Sequence, residues 1–276
     1  MSKVNRNFKS SVFTHLFSDP AREYELYNAV APGRFPPGTP VKDVTLNDVL
    51  FMDRVNDLSF VVGDKLVVFF EHQGSINENM PLRDLIYCDR VYEIIVSNAA
   101  MYTENRVAIP TPEFYVLYNG KSPFPEKAVY KLSESYSLPP EGEPALELVV
   151  RAYNVNEGFN TEIVERSEHL KGYVTLVSKA RGYEDSGMDR ASAVHSAIKE
   201  CIEHGILVEY LEKHASEVRN MLFQEWKWED ARAVWEKEAE ARTDAKWQSV
   251  VADKDAKLAD KDAIIARLNA QLGLKQ

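Results

Sequence analysis

Asn56-Asp57-Leu58-Ser59-Phe60-Val61-Val62, Gly63-Asp64-Lys65 and Leu66-Val67-Val68-Phe69-Phe70-Glu71-His72-Gln73 follow one another without a break. Two runs rich in β-branched and aromatic residues flank a short Gly-Asp-Lys segment, which is the pattern of a β-hairpin. A three-residue loop sets Val62 opposite Leu66 and therefore Asp57 opposite Glu71. An even-length loop without a bulge would put the two acids on opposite faces of the sheet. Side chains alternate along a strand, so Glu71 and Gln73 point the same way and His72 points the other.

Working outward, Phe8, Val12, Phe13, Leu16 and Phe17 recur at helical spacing, and a second helix is predicted over Ala21–Val30. Pro32, Gly33, Pro36, Pro37, Gly38 and Pro40 then force a loop. A strand is predicted over Val44–Phe51. Downstream, Asn79-Met80-Pro81-Leu82 opens a helix running to about Ser97, with Leu82, Leu85, Ile86, Val91, Ile94 and Ile95 as its apolar positions. Two more strands are expected over Pro112–Asn119 and Ala145–Val155. From Thr161 the pattern is helical almost to the end. This order predicts an α/β core with a mixed sheet flanked by helices, then a helical C-terminal region and a long tail helix. The expected division is a core over 1–160, a helical region packed on or next to it over 161–219, and an extended helical tail over 220–276. The tail repeats every seven residues: Val251, Leu258, Ile265 and Leu272 share one core position, and Lys254, Lys261 and Leu268 share its partner. Such a helix is either solvated or self-associating, and a homo-oligomer through it is one expectation.

The chain has 276 residues, 45% hydrophobic and 28% charged, the composition of a globular protein. No apolar run approaches the roughly 20 residues needed to span a bilayer, and no apolar segment follows the basic N-terminus to make a signal peptide. Cys88 and Cys201 stand far apart without metal-type spacing and read as reduced thiols of a cytoplasmic protein. With 43 acidic against 33 basic residues the net charge is -10, which argues against coating nucleic acid by global attraction. Any contact with DNA must come from a local basic cleft and a bound metal.

Two carboxylates meeting at a strand end repel unless a cation lies between them. Hard oxygen ligands suit Mg²⁺ or Mn²⁺, which can acidify a water and neutralise charge on a phosphodiester. Gln73 is no general base, but its amide can orient a water or touch a phosphate. The bland alternative is a solvent-facing edge. Against it, Glu71 closes a run of five apolar residues, where an unpartnered charge is costly.

Several separated blocks carry a resemblance over about Asn5 to His214. They are Phe8-Lys9-Ser10-Ser11-Val12-Phe13, Tyr27-Asn28-Ala29, Asn56-Asp57-Leu58-Ser59-Phe60, Glu71-His72-Gln73, Asn79-Met80-Pro81-Leu82-Arg83-Asp84, Tyr118-Asn119-Gly120 and Asn154-Val155-Asn156. In this order they resemble the recombination-promoting nuclease family, often labelled transposases, within the PD-(D/E)XK superfamily. The resemblance implies a restriction-endonuclease-like core and metal-dependent endonuclease cleavage of DNA linked to recombination. It implies Asp57 and Glu71 as catalytic, metal-binding acids, the backbone carbonyl of His72 as a further ligand, and Mg²⁺ or Mn²⁺ as the cofactor. Gln73 would stand in the motif's lysine position, a departure that leaves rate and metal preference open.

Around this group, Arg83 could hold a phosphate or pair with Asp84, Glu93 or the acids themselves. Lys9 could touch a DNA phosphate or be a solvated helix lysine. Tyr118-Asn119-Gly120 reads as a turn. His195, His204 and His214 read as surface or helix-end residues, and Trp226, Trp228, Trp235 and Trp247 as packing along a helix face. No Gly-rich phosphate loop, zinc spacing or nucleophile pattern is present. Beside the endonuclease stands a second reading from the charge balance, Gln73 and the heptad period: an inactive protein on the same fold that binds nucleic acid or a partner through its tail.

Overall fold

A computed structural model describes residues 11–46 and 57–223, and within the C-terminal stretch 247–248, 250–251, 254–255, 258–259, 261–262 and 264–268. The chain divides into two compact units, Met1–Glu225 and Trp226–Gln276. The first holds an α/β fold in which six strands form one mixed sheet in the order β1-β2-β3-β4-β6-β5. The strands are β1 (Val41–Asp43), β2 (Leu58–Val62), β3 (Leu66–Gln73), β4 (Thr111–Tyr118), β5 (Lys127–Lys131) and β6 (Val149–Asn154). β3, β4 and β6 run parallel, and the remaining neighbours are antiparallel.

The hairpin forms in the register its loop dictates. Val62 pairs with Leu66 and Leu58 with Phe70, so the next step outward brings Asp57 level with Glu71. Gly63 and Asp64 both take positive φ, 56° and 55°, which closes the turn with the right-handed strand twist. β2 and most of β3 are buried on both sides, as expected of strands in the middle of a covered sheet.

Helices α1 (Val12–Leu16) and α2 (Pro20–Val30) precede the sheet, each started by a side-chain cap, Ser11 and Asp19. After β3 come α3 (Met80–Ile95) and α4 (Asn98–Met101). After β6 come α5 (Thr161–Glu165), α6 (Glu168–Asp185) and α7 (Arg190–Glu203), and the chain is helical again over 208–223. Helix α3 covers one sheet face, with Met80, Tyr87, Cys88 and Val91 packed among Val61, Val67, Phe69, Val116 and Val150. The opposite face meets α1 and α6 at His72, which stacks on Phe13 and is approached edge-on by Tyr173. Residues 161–225 thus belong to the same unit as the sheet.

Several expectations need correction. The strand expected from Val44 lies earlier, at Val41–Asp43, because the Asp43 carboxylate accepts from the Thr45 amide at 2.7 Å and turns the chain; residues 47–51 lie outside the described residues. Helix α3 ends at Ile95 because Ser97 caps α4 instead. Its buried stripe is Met80, Asp84, Tyr87, Cys88 and Val91, while Leu82 and Ile94 face solvent. Strand β6 starts four residues later than expected, at Val149, and β5 adds an edge that was not expected. Phe8 and the first turn expected for α1 lie outside the described residues. Among the described residues, no helix is long and apolar enough to cross a membrane. Within the second unit, the described residues of 247–268 are helical, and Trp247, Val251, Leu258, Ile265 and Leu268 are exposed.

Candidate acidic site at the strand ends

The parallel strands β3, β4 and β6 share one rim at their carboxyl ends, the place where open α/β sheets bind ligands. Close backbone packing holds this rim together. A Cβ on Gly120 would lie 2.1 Å from the Gly74 carbonyl, so only glycine fits after β4. The Asn119 amide donates to the Gln73 carbonyl at 2.9 Å, tying the two strand ends.

Asp57 and Glu71 meet at this rim, where two hydrogen bonds tie Asp57 to the end of β3. The His72 amide donates to Asp57 Oδ2 at 2.7 Å, and the Asp57 amide donates to Glu71 Oε1 at 3.3 Å. Since the Gln73 carbonyl points to β4, alternation along the strand turns the His72 carbonyl toward the Asp57 side. Burial raises both carboxyls above their ordinary range, and for Glu71 the nearby Asp57 charge pushes further the same way. Glu71 is only 4% exposed. The charge facing this pair is Arg83, whose Nη2 lies 3.1 Å from Glu71 Oε2. The same guanidinium donates to Tyr87 Oη at 3.0 Å and to Met80 Sδ at 3.3 Å. One guanidinium against the buried Glu71 and the half-buried Asp57 carboxylates leaves the site short of positive charge.

Gln73 sits on the same face as Glu71, half-buried, with its Nε2 donating to Met80 Sδ. His72 points away, as alternation requires. Its Nε2 is 2.9 Å from Tyr173 Oη, and burial pushes the imidazole down to about 3, so it is neutral at ordinary pH. Of the residues singled out in the sequence, the fold therefore brings together Asp57, Glu71, Gln73 and Arg83, with His72 contributing backbone. Arg83 pairs with Glu71 rather than with Glu93, which binds Arg90. Lys9 lies outside the described residues, as do Trp226, Trp228 and Trp235.

Three participants were not expected. Met80 and Tyr87 hold Arg83, and both could have been found by asking which residues lie three or four positions from Arg83 on a helix. Asp84 is 1% exposed, with Oδ1 lacking a hydrogen-bond partner and its carboxyl pushed up to about 8 by burial. It adds to the negative field on Glu71. A second buried acid, Glu23 of α2, has neither oxygen partnered and is likewise pushed up to about 8; the charges acting on it are Asp43 and Asp19, so it stands apart from the pair. On the far face, Arg181 of α6 donates to the Asn119 side chain at 2.8 Å and carbonyl at 2.6 Å and to Asn156 at 3.2 Å. Tyr118-Asn119-Gly120 thus acts as a turn locked by an arginine. His204 caps its own helix end through Glu200, and His214 packs against His15 at 4.8 Å between ring centres instead of lying free on the surface.

The donor chemistry at the rim is hard oxygen: two carboxylates and a main-chain carbonyl, with no third acidic, histidine or cysteine side chain in metal-holding geometry among the described residues. That set is too small to enclose a soft or large cation. It suits an ion that keeps waters and takes a substrate oxygen. Comparison of the chain with protein-family models, curated proteins and solved structures finds no match.

Proposed function

We propose that this chain is a divalent-metal-dependent DNA endonuclease built on a restriction-endonuclease-like core and serving recombination. The observation that carries the reading is the Asp57–Glu71 pair: a half-buried and a buried carboxylate at adjoining strand ends, each accepting a backbone hydrogen bond at one rim and opposed, among the described residues, by a single guanidinium. Both are destabilised as charges by burial, and a cation between them removes that penalty. Asp57, Glu71 and the His72 carbonyl would hold Mg²⁺ or Mn²⁺. Bound there, the ion would supply a water of lowered pKa and neutralise charge building on the scissile phosphate. The chain's own residues do the rest. The His72 amide fixes Asp57, Arg83 holds one Glu71 oxygen through Nη2, and the apolar floor of Val67, Phe69 and Val116 keeps bulk water from beneath the site. The resemblance to recombination-promoting nucleases supports the same assignment, with Gln73 standing where the motif has lysine.

Incubation of supercoiled plasmid with the protein and Mg²⁺ tests the proposal. The wild type should produce nicked and linear DNA, and the double variant Asp57→Ala, Glu71→Ala should not. Equal activity of the two would end the endonuclease reading. An inactive binding protein on the same fold is favoured by one observation, the uncharged amide at position 73 in a chain of net charge -10. It expects retention of a labelled duplex without cleavage under the same conditions.

A further inference from the structure

We propose that Met80 is a positioning residue, which fixes the Gln73 amide with its nitrogen turned inward and its Oε1 offered to the Asp57–Glu71 site. The inference rests on the endonuclease reading and adds a role for Gln73 that the fold had to supply. Met80 opens α3, is fully buried, and places its thioether between two side chains of the site. Gln73 Nε2 and Arg83 Nη1 both donate to Sδ. A thioether sulfur accepts hydrogen bonds and donates none. An amide turned the other way would set the Oε1 lone pairs against those of sulfur and lose the bond. The sulfur therefore selects one of the two amide orientations.

That selection settles what Gln73 can do. With Nε2 held by Met80, the amide atom left over for the site is an acceptor, and among the described residues no donor bonds to it. An acceptor binds a water through the water's proton, leaving an oxygen lone pair to face elsewhere. It has nothing to offer a phosphate oxygen, which is itself an acceptor. Gln73 would thus order the attacking water and would not clamp the scissile phosphate. The same sulfur steadies Arg83, whose other nitrogens are on Glu71 and Tyr87, so one buried atom ties the amide and the guanidinium into a single frame.

The test uses Met80→Leu, of similar volume but without an acceptor, in the full chain. Plasmid nicking in Mg²⁺ should lose about five- to tenfold in kcat, the rate equivalent of one neutral hydrogen bond, with KM for DNA unchanged. In parallel, ¹⁵N-glutamine labelling follows the Gln73 side-chain amide, assigned by its disappearance in Gln73→Glu. Its two proton resonances should move toward free-amide positions in Met80→Leu and keep their places in selenomethionine protein, where selenium still accepts. Unchanged resonances in Met80→Leu would overturn the proposal, as would an unchanged kcat in an active enzyme. Should Met80→Leu fail to fold, norleucine incorporation replaces it with the same two outcomes. If the wild type does not cleave while the resonances respond as described, the endonuclease reading falls and the amide orientation stands.

Discussion

Asp57 and Glu71 are held in a conflict that a bound cation would end. Both carboxyls have raised pKa values, so protons compete with metal for them as pH falls. Apparent Mn²⁺ affinity, read by titration calorimetry, should therefore weaken steadily from pH 8 toward pH 5.5, by about tenfold per pH unit for each proton displaced. A pH-independent affinity would place the ion elsewhere. Glu23 permits a separate prediction with no metal in it. Its folded pKa is raised from 4.5 to about 8 by burial, so the folded state favours the neutral acid. Its contribution to stability is intact below the unfolded value and declines as pH rises from about 4.5 through about 8. Glu23→Gln, a neutral isostere, should leave Tm nearly unchanged at pH 4.5 and raise stability at pH 8 by on the order of a few kcal/mol. Thermal melts at the two pH values check the sign.

The elements that carry the site are positioned by close contacts more than by propensity. The hairpin turn holds register through Gly63 and Asp64, and one residue of slip would send Asp57 to the far face. On that far face, α6 is anchored by Tyr173 on His72 and by Gly172, whose missing Cβ leaves room for Leu207. An added Cβ there would stand 2.5 Å from Leu207 Cγ. Gly172→Ala gains helix propensity of about 1 kcal/mol but overpacks a buried contact at about 1–3 kcal/mol. Net destabilisation of up to about 2 kcal/mol is expected in urea unfolding; a stabilised variant would show that Leu207 moves aside freely. The hairpin and the presence of α3 were legible from residue spacing. The inward face of α3 was not, because apolar residues stand on both sides of it: Leu82 and Ile94 face solvent, yet Tyr87, Cys88 and Val91 face the sheet. The polar Asp84 in the buried stripe hid it from a count of apolar residues.

At the scale of the whole chain, the boundary between units falls at Glu225 and Trp226. All of the described site residues lie in the first unit. A chain ending at residue 225 should keep the Tm and the plasmid-nicking rate of the full chain. Light scattering then tests the tail: its exposed Val251, Leu258 and Ile265 share one heptad position, and if they drive self-association, the full chain is an oligomer and the shortened one a monomer. Loss of nicking together with loss of the oligomer would point to cleavage by two copies.

The sequence by itself determined the α/β class, the three-residue hairpin and the facing of Asp57 and Glu71, since strand alternation and turn length are local rules that a linear pattern obeys. It left open whether Arg83 would meet a phosphate, Asp84, Glu93 or the acids, and it held no sign that Met80 would join Gln73 to Arg83. Those outcomes belong to the tertiary structure. They depend on how α3 rolls over the sheet, and that angle is set by many weak contacts summed across the core.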